Sequence, residues 1–265
     1  MTMLRGKRAL VTGSSQGIGV AVGRAFAQAG AAVAFTSERP PDAVPEVAEL
    51  LARFPTCHYF QADVTRDGAA DRLVADAWDA LGGLDVLVNN VGTFREPPFL
   101  ELAKQHFDFV FNLNVWSAIS VTRAFVERAK AAGQGGRILF SSSLNGSRSE
   151  PAHTLYDASK GAIDALTRQL AVELAPFGFT TAAVAPGLVE TPLTDYGLTS
   201  DPAARAEVER QIPIGRISTV EDVAGWYVFL ASDAARYATG VVIPVDGGLN
   251  AQQMPSRPIT EAEKQ

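Results

Sequence analysis

Tyr156 and Lys160 stand four residues apart, which on a helix places them one turn apart on the same face. A tyrosine hydroxyl with its usual pKa of about 10 is protonated at neutral pH. An ammonium group nearby favours the phenolate and lowers that value, which makes the phenol a proton donor and acceptor near pH 7. A serine hydroxyl arriving from another element would hydrogen-bond the oxygen on which charge develops. The stretch from Ser143 to the tyrosine also carries Asn145, Arg148, Glu150 and His153, and Asp157 follows directly. These make a polar rim that suits a hydroxylated ligand and equally suits a solvated loop. A Tyr-x-x-x-Lys pair also arises from a packed ring beside a lysine whose stem covers apolar surface, so the remaining chain decides its meaning.

The elements that must position this pair alternate along the chain. Arg8-Ala-Leu-Val-Thr12 is an apolar strand ending in Gly13-Ser-Ser-Gln-Gly17-Ile-Gly19. A helix follows, with Ile18, Val22, Phe26 and Ala29 on one stripe, and stops at Gly30. Strand, glycine turn and helix together form a phosphate-binding unit, because the turn lets backbone approach a pyrophosphate at the positive helix end. The Gly-x-x-x-Gly-x-Gly spacing departs from the commoner Gly-x-Gly-x-x-Gly fingerprint. A second strand, Ala32 to Thr36, runs into Ser37-Glu38-Arg39. In a dinucleotide fold that position faces the adenosine ribose, where an acid binds the 2′-hydroxyl and an arginine a 2′-phosphate. The two signals conflict here.

Further along, the pattern predicts helices over 42–53 and 67–81 and strands over 58–61 and 84–88, the latter opening onto Asn89-Asn90-Val91-Gly92. Helices over 101–132 carry Asn114 in their interior, where asparagine is a poor helix former. A fifth strand runs over 136–140 into Ser141-Ser142-Ser143, and the Tyr156 helix extends to about Ala175. A sixth strand over 180–184 is broken by Pro186-Gly187. The connection 188–215, with a short helix over 203–211, fits a lid better than a linker. A helix over 220–231 and a strand over 241–245 close the fold, and 251–265 reads as a polar, flexible tail.

Alternation of this kind predicts one α/β domain over 1–250, a doubly wound sheet of about seven parallel strands with helices on both faces. Ligands in such sheets lie beyond the carboxyl ends of the strands, where the turn glycines, the serine and the Tyr/Lys helix converge. At 265 residues and a formal net charge of -6, without a long basic run, the chain is expected to bind neither nucleic acid nor an anionic membrane. Its 3 histidines are scattered and its 1 cysteine, Cys57, is alone, so no metal site is expected. Neither a signal peptide nor an uninterrupted apolar run of membrane-spanning length is apparent, which makes the cytoplasm the expected location.

With these motifs in order, the sequence resembles the short-chain dehydrogenase/reductase family over nearly its whole length. Thr12 to Gly19 matches the family's cofactor turn, Asn89-Asn90-Val91-Gly92 its Asn-Asn-Ala-Gly signature with valine for alanine, and Asp246-Gly247-Gly248 its C-terminal ending. The family serine lies thirteen residues before the tyrosine, at Ser143, and the family asparagine falls on Asn114. The resemblance implies a Rossmann-type fold and NAD(P)-dependent hydride transfer on a secondary alcohol or ketone. Tyr156 would act as general acid/base, Lys160 would lower its pKa and bind the nicotinamide ribose, Ser143 would hold the substrate oxygen, and Asn114 would position a water in a proton relay.

Cofactor contacts implied are Gly13, Ser15, Gln16, Gly17, Ile18 and Gly19 at the turn, and Ser37 and Arg39 at the ribose. Asp63 and Val64 would meet adenine, Asn90 the neighbouring ribose, and Pro186, Gly187, Val189 and Thr191 the nicotinamide amide, with Gly92 a further cofactor contact. Ser37 replaces the aspartate of NAD-strict members, and Arg39 suits a 2′-phosphate, so NADP is favoured slightly over NAD; Gln16 and Glu38 argue the other way. Asn145, Glu150 and His153 are the substrate candidates and resemble those of sugar and polyol dehydrogenases. A 3-oxoacyl thioester reductase and a non-catalytic cofactor-sensing protein remain the alternatives. A homotetramer is the assembly the resemblance implies.

Overall fold

A computed structural model describes residues 2–194 and 200–253. Seven parallel strands form one sheet in the order β3-β2-β1-β4-β5-β6-β7: β1 Arg8–Val11, β2 Ala32–Ser37, β3 His58–Gln61, β4 Val86–Asn89, β5 Gly136–Ser141, β6 Phe179–Pro186 and β7 Val241–Val245. Parallel neighbours require crossovers, and the chain supplies helices α1 Gly17–Gln28, α2 Pro45–Arg53, α3 Ala69–Leu81, α4 Lys104–Phe111, α5 Ser117–Ala131, α6 Thr154–Leu174, α7 Pro202–Gln211 and α8 Val220–Ala231. Strand order reverses between β1 and β4, and a crevice opens there at the carboxyl ends.

Successive residues of the central strands face opposite layers. Ala9 and Val11 on β1, with Val86 and Val88 on β4, pack with Phe26, Phe35 and Tyr227 on one side. Leu10 and Leu87 pack with Phe125, Ile138, Phe140 and Ile163 on the other. Burial on both faces explains why these strands read as continuous apolar runs.

Three local departures have visible causes. The helix expected over 42–53 divides into a 3-10 turn at Pro41–Ala43 and α2, with Pro45 opening the second piece, where its missing N–H costs nothing. Pro186 does not break β6 but ends it, paired with Val245. The helices expected over 101–132 begin with a 3-10 turn at Phe99–Glu101, and between α4 and α5 runs a π-helical segment, Asn112–Trp116, with Asn114 in its middle. The continuous helical run Lys104–Ala131 is long and apolar enough to cross a membrane by length and composition, although half of its most apolar window is buried in this fold. In the connection 188–215, α7 falls where a short helix is expected, and residues 195–199 lie outside the described residues. Of the tail expected over 251–265, residues 254–265 also lie outside them.

Candidate active site

The turn after β1 is held open by its neighbours. Gly13 and Gly17 adopt φ of 60° and 58°, a region costly for other residues. Ser14, fully buried, donates its hydroxyl to the Val11 carbonyl and accepts the Thr36 N–H, each at 2.8 Å, which ties the turn to β2. Thr12 Oγ1 accepts the Asn90 N–H at 3.0 Å, and Asn90 Nδ2 donates to the Gly13 carbonyl at 3.0 Å. Gly19 follows from this packing, since a Cβ there would overlap the Gly13 carbonyl and the Asn90 amide.

Helix α1 starts at this turn with no side-chain cap on Gln16 and no acidic residue in its first turn. Its first N–H groups therefore meet a ligand anion without internal competition. A cleft of about 480 Å³ extends from this point in both directions. A pyrophosphate fits the residues present: a left-handed glycine turn, an uncapped helix end and a close backbone approach.

Towards the sheet edge the cleft is lined by Ser37, Glu38, Arg39, Asp63 and Val64. The Ser37 hydroxyl pairs with the Tyr59 hydroxyl at 2.8 Å and accepts the Arg39 N–H, while Tyr59 donates to the Arg39 carbonyl at 2.6 Å. Burial raises the Tyr59 pKa, with the Ser37 bond opposing it, so this hydroxyl stays a donor. The Arg39 side chain is half-exposed and only 3.9 Å from Glu38, a loose ion pair open to exchange for a ligand. Asp63 is committed: Thr65 and Arg66 bond its carboxylate, and its pKa falls chiefly because of the Thr65 hydroxyl.

In the other direction the cleft reaches Asn90, Gly92, Tyr156 and Lys160. Tyr156 lies in the first turn of α6, whose N-terminus is capped from afar by Glu96, which accepts the Leu155 N–H at 2.8 Å. Phe94 and His153 meet the Tyr156 ring edge-on, at 6.2 and 5.7 Å between centroids. Lys160 Nζ lies 5.6 Å from the centroid of the same ring and donates to the Ser141 carbonyl at 2.7 Å. Burial pulls the Lys160 pKa down to about 8, with Asp164 opposing. The lysine is thus a poised cation rather than a solvated one.

Three consecutive serines leave β5 with three different fates. Ser141 Oγ donates to Asn90 Oδ1 at 2.9 Å and pairs with the buried Tyr227 hydroxyl at 2.6 Å. Ser142 Oγ donates to Asp164 at 2.5 Å. Among the described residues, Ser143 Oγ is engaged within its own turn, with Asn145, at 3.2 Å in both directions. Asn114 spends its side chain on the fold: Oδ1 accepts the Thr93 N–H, and Nδ2 donates to the Thr93 carbonyl and to Ser159 Oγ, all within 2.9 Å. It thereby fixes the strand-exit loop containing Gly92 against α6.

Not every expected residue reaches the cleft wall. The turn residues Gly13, Ser15, Gln16, Gly17 and Ile18 line it, as do Pro186 and Thr191, whereas Gly19, Asn114, Ser143, Gly187 and Val189 are not among its lining residues. Gly187 packs on Asp246, and Val189 forms an isolated parallel bridge with Ser218. Asn145 bonds Asp157 at 2.7 Å and Glu150 pairs with His153 at 3.1 Å, forming a rim outside the cleft beside Tyr156. Sequence reasoning missed Ser14, Glu96, Ser141 and Tyr227. Ser14, inside the glycine turn, and Ser141, in a serine run at a strand end, carried a local signal; Glu96 and Tyr227 carried none.

Comparison with known proteins places the chain among oxidoreductases. The family model described as enoyl-(acyl carrier protein) reductase matches residues 13–250. L-xylulose reductase of Bos taurus is 35% identical over 248 residues, covering 94% of this chain and 98% of the relative. Sorbitol dehydrogenase of Cereibacter sphaeroides is 33% identical over 253 residues, covering 92% and 98%. A crystal structure from Agrobacterium tumefaciens with NADP bound, assigned provisionally as a 2-deoxy-D-gluconate 3-dehydrogenase, superposes with a TM-score of 0.86 at 34% identity, covering 95% of this chain and 99% of that one.

Proposed function

Because the chain belongs to the short-chain dehydrogenase/reductase family and is an NAD(P)-dependent oxidoreductase acting on CH–OH groups, we propose that Tyr156, Lys160, Ser143 and Asn114 are its catalytic residues and that its substrate is a sugar or polyol. The observation that carries this reading is a single cleft with an uncapped helix N-terminus at its middle and the Tyr156/Lys160 pair at one end. The bound nicotinamide supplies the two-electron chemistry. Tyr156 Oη exchanges a proton with the substrate oxygen, which Ser143 Oγ holds from the other side. Lys160 favours the phenolate by its charge, and its bond to the Ser141 carbonyl fixes where that charge stands. Asn114 positions the relay through its main chain in the π-helical segment, since its side chain is consumed by Thr93 and Ser159.

At the adenosine end, NADP is the favoured cofactor. Ser37 is committed to Tyr59 and brings no charge, while Arg39 is held only by a loose pair with Glu38. NADP occupies the Agrobacterium tumefaciens relative, which agrees. The rim of Asn145, Glu150 and His153 is the proposed substrate contact, and the connection 188–215 the proposed lid. A cytoplasmic homotetramer is the proposed state. Exposed aromatic side chains at Phe107 and Trp116 around α4–α5, and at Trp226 and Phe229 on α8, supply apolar faces for it, and a monomer in sedimentation at micromolar concentration would exclude it.

The test is nicotinamide absorbance with wild type and Tyr156→Phe over sugars, polyols, simple ketones and 3-oxoacyl thioesters. Turnover confined to the thioesters would favour the thioester reductase. Cofactor binding without turnover of any substrate would favour a sensing protein.

A further inference from the structure

One buried ionisable group near the site has no part in the mechanism above. Asp164 lies one helical turn beyond Lys160 on α6 and is 7% exposed. Its Oδ1 accepts the Ser142 hydroxyl at 2.5 Å, and the Ser142 N–H donates to the Val184 carbonyl at 2.8 Å. The carboxylate therefore grips β5's exit between Ser141, whose carbonyl holds Lys160, and Ser143, whose hydroxyl is to meet substrate. Gly146 packs so closely on this carboxylate that a Cβ there would overlap it. A buried carboxylate is costly unless bonded and paired, and an apolar residue would fill the same helix position at lower cost.

We propose that Asp164 is a positioning residue for this reaction: its clamp on Ser142 fixes the segment bearing the Lys160 acceptor and Ser143, and its charge keeps the Lys160 ammonium protonated. The proposal rests on the catalytic reading of Tyr156 and Lys160 given above. Burial raises the Asp164 pKa, and the Ser142 hydroxyl, Arg168 and Lys160 oppose the rise. The charged groups acting on the pair are thus Lys160, Asp164 and Arg168, all on α6 beside Tyr156. β5's exit presents Ser141, itself bonded to Tyr227, and Ser142; of the elements packed against α6, the turn Leu144–Gly146, β6, β7, α4, the π-helical segment and the turn Ala175–Phe177 contribute no further charge to either group. Without the carboxylate, Lys160 would lose its proton in the pH range where the phenol needs a cation.

The direct test is a pH titration of the full chain carrying 13C-labelled lysine, without cofactor or substrate. Lys160 is identified against Lys7, Lys104, Lys130 and Lys264 by loss of its signal in Lys160→Arg. Wild-type Lys160 should titrate near the value of about 8 set by burial. Asp164→Asn, which keeps the shape and a bond to Ser142, should lower that midpoint by on the order of one pH unit. Asp164→Glu, which keeps the charge, should restore it. Ser142→Ala should leave the midpoint nearer to wild type while kcat falls roughly tenfold, because the clamp alone is lost. An unchanged Lys160 midpoint in Asp164→Asn overturns the proposal, as does full kcat in Ser142→Ala. The titration needs no turnover, so a fully active Tyr156→Phe would remove the catalytic reading and leave the lysine result standing.

Discussion

Replacing Lys160 by methionine should stabilise the protein near neutral pH while abolishing turnover. The lysine is buried, and its pKa falls from 10.5 to about 8 because the charged form loses hydration. Each pKa unit is worth about 1.4 kcal/mol, so holding the ammonium in the fold costs on the order of 3 kcal/mol at pH 7. Methionine avoids that cost but leaves the Ser141 carbonyl, now bonded at 2.7 Å, without its donor, a loss of about 1–2 kcal/mol. The variant should therefore be more stable by roughly 1–2 kcal/mol below pH 8.

The pH dependence gives the sign. Between the folded value of about 8 and the unfolded value near 10.5, the unfolded chain binds more protons, so wild-type stability rises with pH through that window. At its top the lysine is neutral in both states and only the lost hydrogen bond remains, so the order of stabilities should reverse. Urea midpoints for both proteins, near pH 7 and again above the window, measure this. A variant less stable near pH 7, or a difference independent of pH, would refute the claim that Lys160 is a buried and costly charge.

Two further outcomes concern the ends of the cleft. Arg39→Ala should raise KM for NADPH far more than for NADH, by about tenfold if one charge-assisted contact to phosphate is lost, and equal effects on both cofactors would remove the argument for NADP. Glu150→Gln, which weakens the pair with His153 beside Tyr156, should impair turnover of a polyhydroxylated substrate and spare a simple ketone; indifference in both assays would leave Glu150 as surface.

Local chemistry made much of this molecule legible. The central strands read as apolar runs because both sheet faces are covered, and α8 and β7 fall on the expected boundaries. The glycine turn was legible because a positive φ selects glycine. The Tyr156/Lys160 spacing was legible because helical periodicity places both on one face. What stayed hidden depends on contacts distant in sequence. Glu96 caps α6 across 59 residues, and Tyr227 reaches Ser141 across 86, with no mark in either neighbourhood. The fates of the three serines follow from the direction each side chain takes as β5 ends, which composition does not encode. Asn114 looked anomalous for a helix, and the π-helical segment is the physical answer to that anomaly.

The central claim is that Tyr156 Oη moves the proton at the substrate oxygen. Its most direct measurement is the rate of cofactor-dependent absorbance change for wild type and Tyr156→Phe, on whichever sugar, polyol or ketone the wild type turns over. The account predicts a kcat lowered by about a hundred- to ten-thousand-fold, with cofactor binding retained. A phenylalanine variant that keeps wild-type kcat on that substrate would contradict it.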